Sequence, residues 1–483
     1  MSDRQQPSPE QMHDRIARLK ELIRVRQDEV ASRSELGQIY RSLGRMAEAE
    51  DEFRASLRHT PRDAAALCDF GRFLMECNRP KEAAAQAEAA IAFHPTNAPA
   101  HTLRGIALAA QGRLDDAVAA FAKAASADLA DAAARANMAT ALATQGRFEQ
   151  ALTASTEAIR LAPTDVTIHL NHAIALLKAG RLTEGWAAYE WRHKKPGREK
   201  LPPVLMLPKL AHLGSVAGKS IVIYHEEGFG DTLQFLRYVP LLAEAGARIV
   251  LWMPDPLVRL MRGQDGVDQI LTGDVMLPRF DYHCPIISLP HIFDTGLENI
   301  PASIPYIRPD PALKDHWGAA LPPTAGARVG LVWSGEPRPY DVAAQALDRR
   351  RSLPLRFLEP VLAVPGLSFI SLQTGPAARQ VTAPVHDPMS GVRDFADTAA
   401  IIAHLDLVIS VDTAVAHLAG AMGKPVFLLD RFDNCWRWFS GRTDSPWYPT
   451  LRIFRQPRMG DWTAAIDDAA LALTAFAAGR RDA

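Results

Sequence analysis

An α-helical solenoid followed by an α/β half of two doubly wound domains is the fold that this sequence predicts, on three observations. The first 195 or so residues repeat with a period of 34, a proline-rich stretch then ends the helical pattern, and short apolar strands alternate with helices from there on.

The repeat is in strict register. An offset of 34 aligns Gly37, Gly71 and Gly105, then Ala139 and Ala173, without an insertion. Gly44, Gly112, Gly146 and Gly180 coincide, with Asn78 in the second unit, where one helix must end and turn; Gly or Asn is what a left-handed helix terminus requires. Ala49, Ala83, Ala117 and Ala151 fall together on the next helix, and Pro61, Pro95 and Pro163 close their units, a series that Leu129 breaks. Small residues let paired helices approach, while Tyr40, Phe53 and Phe121 fill between units. From about Val30 to Arg192 these residues resemble the tetratricopeptide repeat. Stacked hairpins of this kind bury each other's faces and wind a superhelix whose concave groove recognises peptides or proteins; a spacer or dimerisation element is the alternative. The aromatic fifth unit, with Trp186, Tyr189 and Trp191, is expected to pack against the next domain. Residues 1–29 precede the array as a helical or flexible segment, and 30–195 hold about five repeats.

Bulk numbers exclude several classes. Lys+Arg 54 against Asp+Glu 55 leaves a net charge of −1, without the basic excess of a nucleic-acid binder. Cys68, Cys77, Cys284 and Cys435 have no CxxC spacing, which argues against a zinc site or a disulfide framework. No run approaches the roughly 18 apolar residues of a membrane span, so a cytoplasmic protein without a transmembrane segment is expected. Nothing indicates the oligomeric state.

Between Lys194 and Lys219 the helical period is lost among Pro196, Pro202, Pro203 and Pro208, the mark of a boundary, and 196–218 reads as a linker. Ser220 to Tyr224 is then a short strand, followed by a glycine-bearing loop, a helix through about Ala245 and a second strand at Arg248 to Met253. A second set runs through Val329 to Trp333, Ser368 to Leu372, Leu405 to Val411 and Pro425 to Leu429. The two domains are placed at 219–325 and 326–483.

Two motifs follow strand ends, where ligands bind in such sheets. The first is Glu226, Glu227, Gly228, Phe229, Gly230, Asp231, Thr232, Leu233, Gln234; it lacks the third glycine of a dinucleotide fingerprint. Asp231 sits at a helix start, where a simple N-terminal cap is the plain alternative to a chemical role. The second runs from Ser410 through Asp412, Thr413 and His417 to Gly420. Amides of the first helical turn and the Thr413 hydroxyl are placed to hold a phosphate, with His417 one turn on, either at the ligand or as a core residue.

The pair Gly228-Phe-Gly-Asp231 and Ser410-Val-Asp-Thr413 with His417-Leu-Ala419 resembles family 9 of the glycosyltransferases, which includes the lipopolysaccharide heptosyltransferases. More closely, the chain is similar to bacterial proteins that join tetratricopeptide repeats to such a domain, through Tyr189-Glu-Trp-Arg192, Arg350-Arg-Ser-Leu353, Ser371-Leu-Gln373, Asp444-Ser-Pro-Trp-Tyr-Pro449 and Phe454-Arg-Gln456. The resemblance implies a GT-B fold of two Rossmann-like domains, acceptor-side then donor-side, with a C-terminal helix returning to the first. It implies an inverting hexosyl- or heptosyl-type transferase in which Asp231 is the catalytic base, beside acceptor-side loop residues Glu226, Gly228, Gly230 and Gln234. Nucleotide-sugar binding is carried onto Asp412, Thr413 and His417. With no Asp-x-Asp metal motif, the cations for the leaving diphosphate are Arg349, Arg350 and Arg351, for which a solvated face is the alternative. Trp436 and Trp438 are candidates for stacking on a base or sugar, or for the core. The sequence departs from the family at Ala414, where glycine is usual, and over Asp430 to Trp438, so no role carries onto Asp433, Asn434 or Arg437. No metal or cofactor is expected; the nucleotide-diphosphate sugar is a substrate, and the repeat groove recruits a protein or glycan acceptor. The alternatives are a non-catalytic repeat scaffold with a degenerate transferase domain, and an enzyme like the protein O-linked N-acetylglucosamine transferases.

Overall fold

The computed structural model describes residues 9–26, 30–197, 201–337 and 342–479. The chain divides into two compact units, Met1–Asn171 and His172–Ala483.

In the first unit the helix Pro9–Val25 precedes paired helices: Val30–Ser42 with Met46–His59, Ala64–Glu76 with Pro80–Phe93, Ala98–Ala110 with Leu114–Ala127, and Ala132–Thr144 with Phe148–Leu161. The turns inside the pairs sit where the period places them, with Gly44, Asn78, Gly112 and Gly146 at φ of 72°, 57°, 76° and 76°. Asp63, Asn97 and Asp131 open successive pairs as N-caps whose side chains accept from first-turn amides. The small residues on the first helices have a steric reason: a β-carbon on Gly105 would lie 2.5 Å from the Phe121 ring. Units are also tied in a periodic way, since His101 and His169 bond the carbonyls of the closing prolines Pro95 and Pro163 at 2.8 and 2.9 Å.

The fifth pair, Val166–Lys178 and Leu182–Tyr189, straddles the division. Leu177, Leu182 and Trp186 share one core with Ile223, Phe235 and Trp447. The compact boundary therefore lies inside a helix at Asn171, upstream of the proline-rich stretch, because the aromatic end of the last hairpin is buried among α/β side chains.

The second unit holds two parallel sheets. Strands β1 (Ser220–Tyr224), β2 (Arg248–Trp252), β3 (Gln269–Leu271) and β4 (Tyr282–Pro285) make one, in the order β3-β2-β1-β4. Strands β5 (Ala327–Val332), β6 (Leu367–Ser371), β7 (Val385–His386), β8 (Leu407–Val411), β9 (Val426–Asp430) and β10 (Leu451–Arg455) make the other, in the order β10-β9-β8-β5-β6-β7. In both sheets the order reverses beside the first strand, and the crevice at that reversal is where doubly wound sheets bind ligands. The Glu226–Asp231 segment follows β1 and the Asp412–His417 segment follows β8, so each motif stands at its sheet's reversal. The terminal helix Thr463–Gly479 corrects one expectation. It stays on the second sheet, where Ile466, Ala469 and Leu473 pack with Val329, Leu331 and Val361, because its apolar stripe is fully used there.

Candidate functional site

The two helix starts meet. The helix Phe229–Phe235 opens with Gly228, whose amide donates to Asp231 Oδ2 at 3.1 Å, and Asp231 is buried in the third helical position. Gly230 is where the second motif arrives: a β-carbon there would lie 2.8 Å from His417 Cδ2 and 3.6 Å from the Ala414 Cα. No larger residue fits between the helix Phe229–Phe235 and the helix Ala414–Ala421. Glu227 takes φ of 62° to make the sharp approach.

Asp231 is not an open carboxylate. Its Oδ1 forms an ion pair with Arg437 Nη2. The Arg437 guanidinium lies 4.1 Å from the Trp436 ring centroid, and burial pushes its pKa down to about 10, opposed by Tyr189, Tyr448 and Glu227. At neutral pH the guanidinium is therefore charged.

On the second motif, Thr413 is the extended residue before the helix Ala414–Ala421, and its hydroxyl lies 3.0 Å from Ser410 Oγ rather than capping the helix. Arg351 Nη1 donates to the Asp412 carbonyl at 3.0 Å, and Asp412 Oδ1 is 4.0 Å from His417 Nε2. His417 is bonded through Nδ1 to Tyr448 Oη at 2.9 Å and stacked on Trp438 at 4.9 Å between centroids. Burial lowers its pKa to about 4, with Asp412 opposing and Arg237 assisting, so it is neutral at pH 7 and offers no positive charge to a phosphate.

The arginine run splits three ways at the end of the helix Val342–Arg351. Arg349 is exposed; Arg350 Nε donates to Asp433 at 2.9 Å; Arg351 pairs with Asp348 at 3.0 Å as well as holding Asp412. Gly335, in the loop after β5, is packed so closely on Asp348 and Arg351 that any β-carbon would collide with both.

Other predicted residues serve packing in this structure. Glu226 is buried and receives Arg192 Nε at 3.0 Å, while Arg192 also donates to Glu190 at 2.5 Å and to Ser288 Oγ at 2.6 Å. Gln234 is fully buried, and among the described residues neither of its amide atoms has a hydrogen-bond partner. Trp436 lies flat against Phe235, 6.3 Å between centroids, with Trp186 edge-on at 5.1 Å. Both rings proposed for stacking are thus core rings, Trp438 being spent on His417. Gly228, Gly230, Asp231, Asp412, Thr413, His417 and Arg351 come together; Arg349 and Gln234 do not join them. Sequence reasoning gave no role to Arg437, Arg431, Lys178 or Tyr448. For Arg431 and Arg437 the signal was the departure of Asp430 to Trp438 from the family pattern, for Tyr448 its place in the shared Asp444–Pro449 phrase, and for Lys178 there was none.

Among the described residues no helix is long and apolar enough to cross a membrane. The model of glycosyltransferase family 9 (heptosyltransferase) matches residues 388–429, which run from before the helix Phe395–Ala403 through β8 and the Asp412–His417 helix start to β9. The tetratricopeptide-repeat model matches residues 16–64, 68–136 and 136–197, so the fifth pair is a repeat by sequence although it packs in the second unit. Protein FlbA of Caulobacter vibrioides is 29% identical over 328 residues, 62% of this chain and 53% of FlbA; the chain spans about half the length of that curated relative. Similar solved structures include MamA protein, 18% identical with a TM-score of 0.31 over 36% of this chain and 96% of MamA. PilW, a type IV pilus biogenesis factor, is 21% identical with a TM-score of 0.34 over 38% of this chain and 84% of PilW. The chain thus joins a stretch matched by tetratricopeptide repeats to a short segment similar to family 9 glycosyltransferases.

Proposed function

We propose that this chain is an inverting, metal-independent glycosyltransferase of GT-B fold that uses a nucleotide-diphosphate sugar, its repeats recruiting a protein or glycan acceptor. The observation that carries the reading is the meeting of the two reversal-point motifs through Gly230 and His417, which sets Asp231 beside the segment that matches family 9. In this scheme Asp231 takes the proton of an acceptor hydroxyl as its oxygen attacks the anomeric carbon. The bond from that carbon to the diphosphate breaks on the opposite face, and the electron pair leaves with the diphosphate, which Arg350, Arg351 and the Ala414–Ala421 helix amides neutralise. Transfer through Asp231 requires its contact with Arg437 to open, so the described arrangement is a resting one.

The test is a panel of nucleotide sugars with the full chain, read as donor hydrolysis and as a shift in Tm. The expected outcome is that one donor is both bound and slowly hydrolysed. Asp231→Asn should then lower turnover by roughly a hundredfold or more while nucleotide still binds; equal turnover would remove Asp231 from the chemistry. A second reading, a non-catalytic binding domain, is favoured by the buried Asp231–Arg437 pair. It takes over if no nucleotide sugar is turned over by the wild-type protein.

A further inference from the structure

Beside the helix start at Ala414, the chain gathers cations around one carboxylate. Asp433 Oδ2 accepts from Arg350 Nε at 2.9 Å and from Arg431 Nη1 at 2.6 Å. Burial opposes its ionisation, yet Arg431, Arg350 and Lys178 hold its pKa below the ordinary range. Lys178, the last residue of the helix Val166–Lys178, is only 9% exposed, and among the described residues it has no hydrogen bond or ion pair. It faces Arg431, Asp433, Cys435 and Asp430, and burial together with Arg431 lowers its pKa to about 8 despite the opposing acids. An ammonium largely removed from water, with no acceptor among the described residues, is costly to keep. Asp433 is bonded to two of the three cations, while Asp430 is pushed towards its neutral form by burial and is taken up by Arg455. Arg431 also feels Asp412, and Arg351, next in sequence to Arg350, holds the Asp412 carbonyl, so the cluster adjoins the helix start of the family 9 segment. Access exists, since the Arg350 side chain is 40% exposed.

We propose that Lys178, Arg350 and Arg431 form the anion site for the donor's diphosphate, and that the Asp433 carboxylate occupies this site while no donor is bound. The inference rests on the transferase reading for the identity of the anion. It assigns a donor-binding residue to the last hairpin of the repeats, which would explain why that hairpin is built into the α/β unit. A diphosphate carries more negative charge and more acceptor oxygens than one carboxylate, so it satisfies the Lys178 ammonium that Asp433 leaves unpaired.

The experiment titrates the full-length protein with inorganic pyrophosphate and with nucleoside diphosphates by calorimetry. Wild type should bind pyrophosphate, Lys178→Met should bind it roughly tenfold or more weakly, and Lys178→Arg should recover most of the loss. Asp433→Asn, which removes the competing carboxylate, should bind it several-fold more tightly. The opposite signs of the two variants separate anion competition from loss of folding. Wild-type affinity in Lys178→Met, weaker binding in Asp433→Asn, or no pyrophosphate binding by the wild type each overturns the site. If pyrophosphate binds with this pattern but no nucleotide sugar is turned over, the anion site stands and the transferase reading falls. If transfer proceeds with an unchanged KM in Lys178→Met, the transferase stands and the site falls.

Discussion

The repeat unit and the α/β unit use the same side chains in opposite ways. Arg45, Arg79 and Arg113 recur at the turns of the hairpins, each paired with an acid three residues on: Glu48, Glu82 and Asp116. These pairs are local and solvent-exposed, and such pairs contribute little. In the α/β unit buried ion pairs join distant segments: Arg192 with Glu226 and Arg437 with Asp231. Aromatic residues divide likewise, for all nine tryptophans lie at or after Trp186 and none in Met1–Asn171. The lesson is that the solenoid is held by a repeated steric pattern, whereas the α/β unit depends on single, irreplaceable contacts. Tryptophan fluorescence therefore reports on the second unit alone.

The largest effect that contrast predicts is at Arg192. Replacing it by Met leaves Glu190 and Glu226 without the guanidinium that now pairs them, and removing one partner of a buried ion pair costs roughly 3–5 kcal/mol. Urea unfolding followed by tryptophan fluorescence should show that loss. A loss under about 1 kcal/mol, the level of a surface pair, would erase the distinction between the two units.

This division also governs what the sequence could reveal. Gly44, Asn78, Gly112 and Gly146 announce their turns because the same steric demand recurs every 34 residues, and β1, β2, β5, β6, β8 and β9 stand out as apolar runs. The short β3 and β7 carry too few residues for a pattern, and β4 and β10 mix charged or turn-forming residues with apolar ones. Asp231, Asp412 and His417 were legible as helix starts at strand ends. Arg437 on Asp231 was not, since nothing local in Cys435-Trp-Arg437 says which carboxylate a guanidinium will reach. Nor could composition tell that Trp438 spends its face on His417.

A second prediction uses two buried titrating groups of opposite sign. His417 has its pKa lowered to about 4 by burial, so the unfolded chain binds its proton more readily, and its contribution to stability is lost as pH falls from about 6.5 towards 4. Asp430 has its pKa raised to about 6 by burial, partly relieved by Arg455, so its contribution is present at low pH and is lost as pH rises from about 4 to 6. Each amounts to about 3 kcal/mol, and in the wild type they largely cancel across that window. Asp430→Asn should unmask the histidine, with fluorescence-detected stability climbing by about 2 kcal/mol between pH 4.5 and 6.5. Glu190, held at about 2, and Lys178, lowered to about 8, titrate outside that range. A flat profile in Asp430→Asn would show that His417 is not buried as described.

The smallest effect asks whether the solenoid's tolerance has limits. Alanine in place of glycine inside a helix ordinarily stabilises by roughly 0.5–1 kcal/mol through backbone entropy. At Gly105 that gain meets a β-carbon 2.5 Å from the Phe121 ring, which is itself buried with Leu108, Ala117 and Ala141 and has no room to yield. Overpacking of this kind costs roughly 1–3 kcal/mol, so the steric term wins and Gly105→Ala should lower stability by about 1 kcal/mol, net of the helix gain. Because the repeat unit has no tryptophan, the loss should be visible in far-ultraviolet circular dichroism and not in the fluorescence transition. A stabilised Gly105→Ala protein would mean that the ring moves aside, and that small residues at this repeat position are a preference of helix pairing rather than its condition.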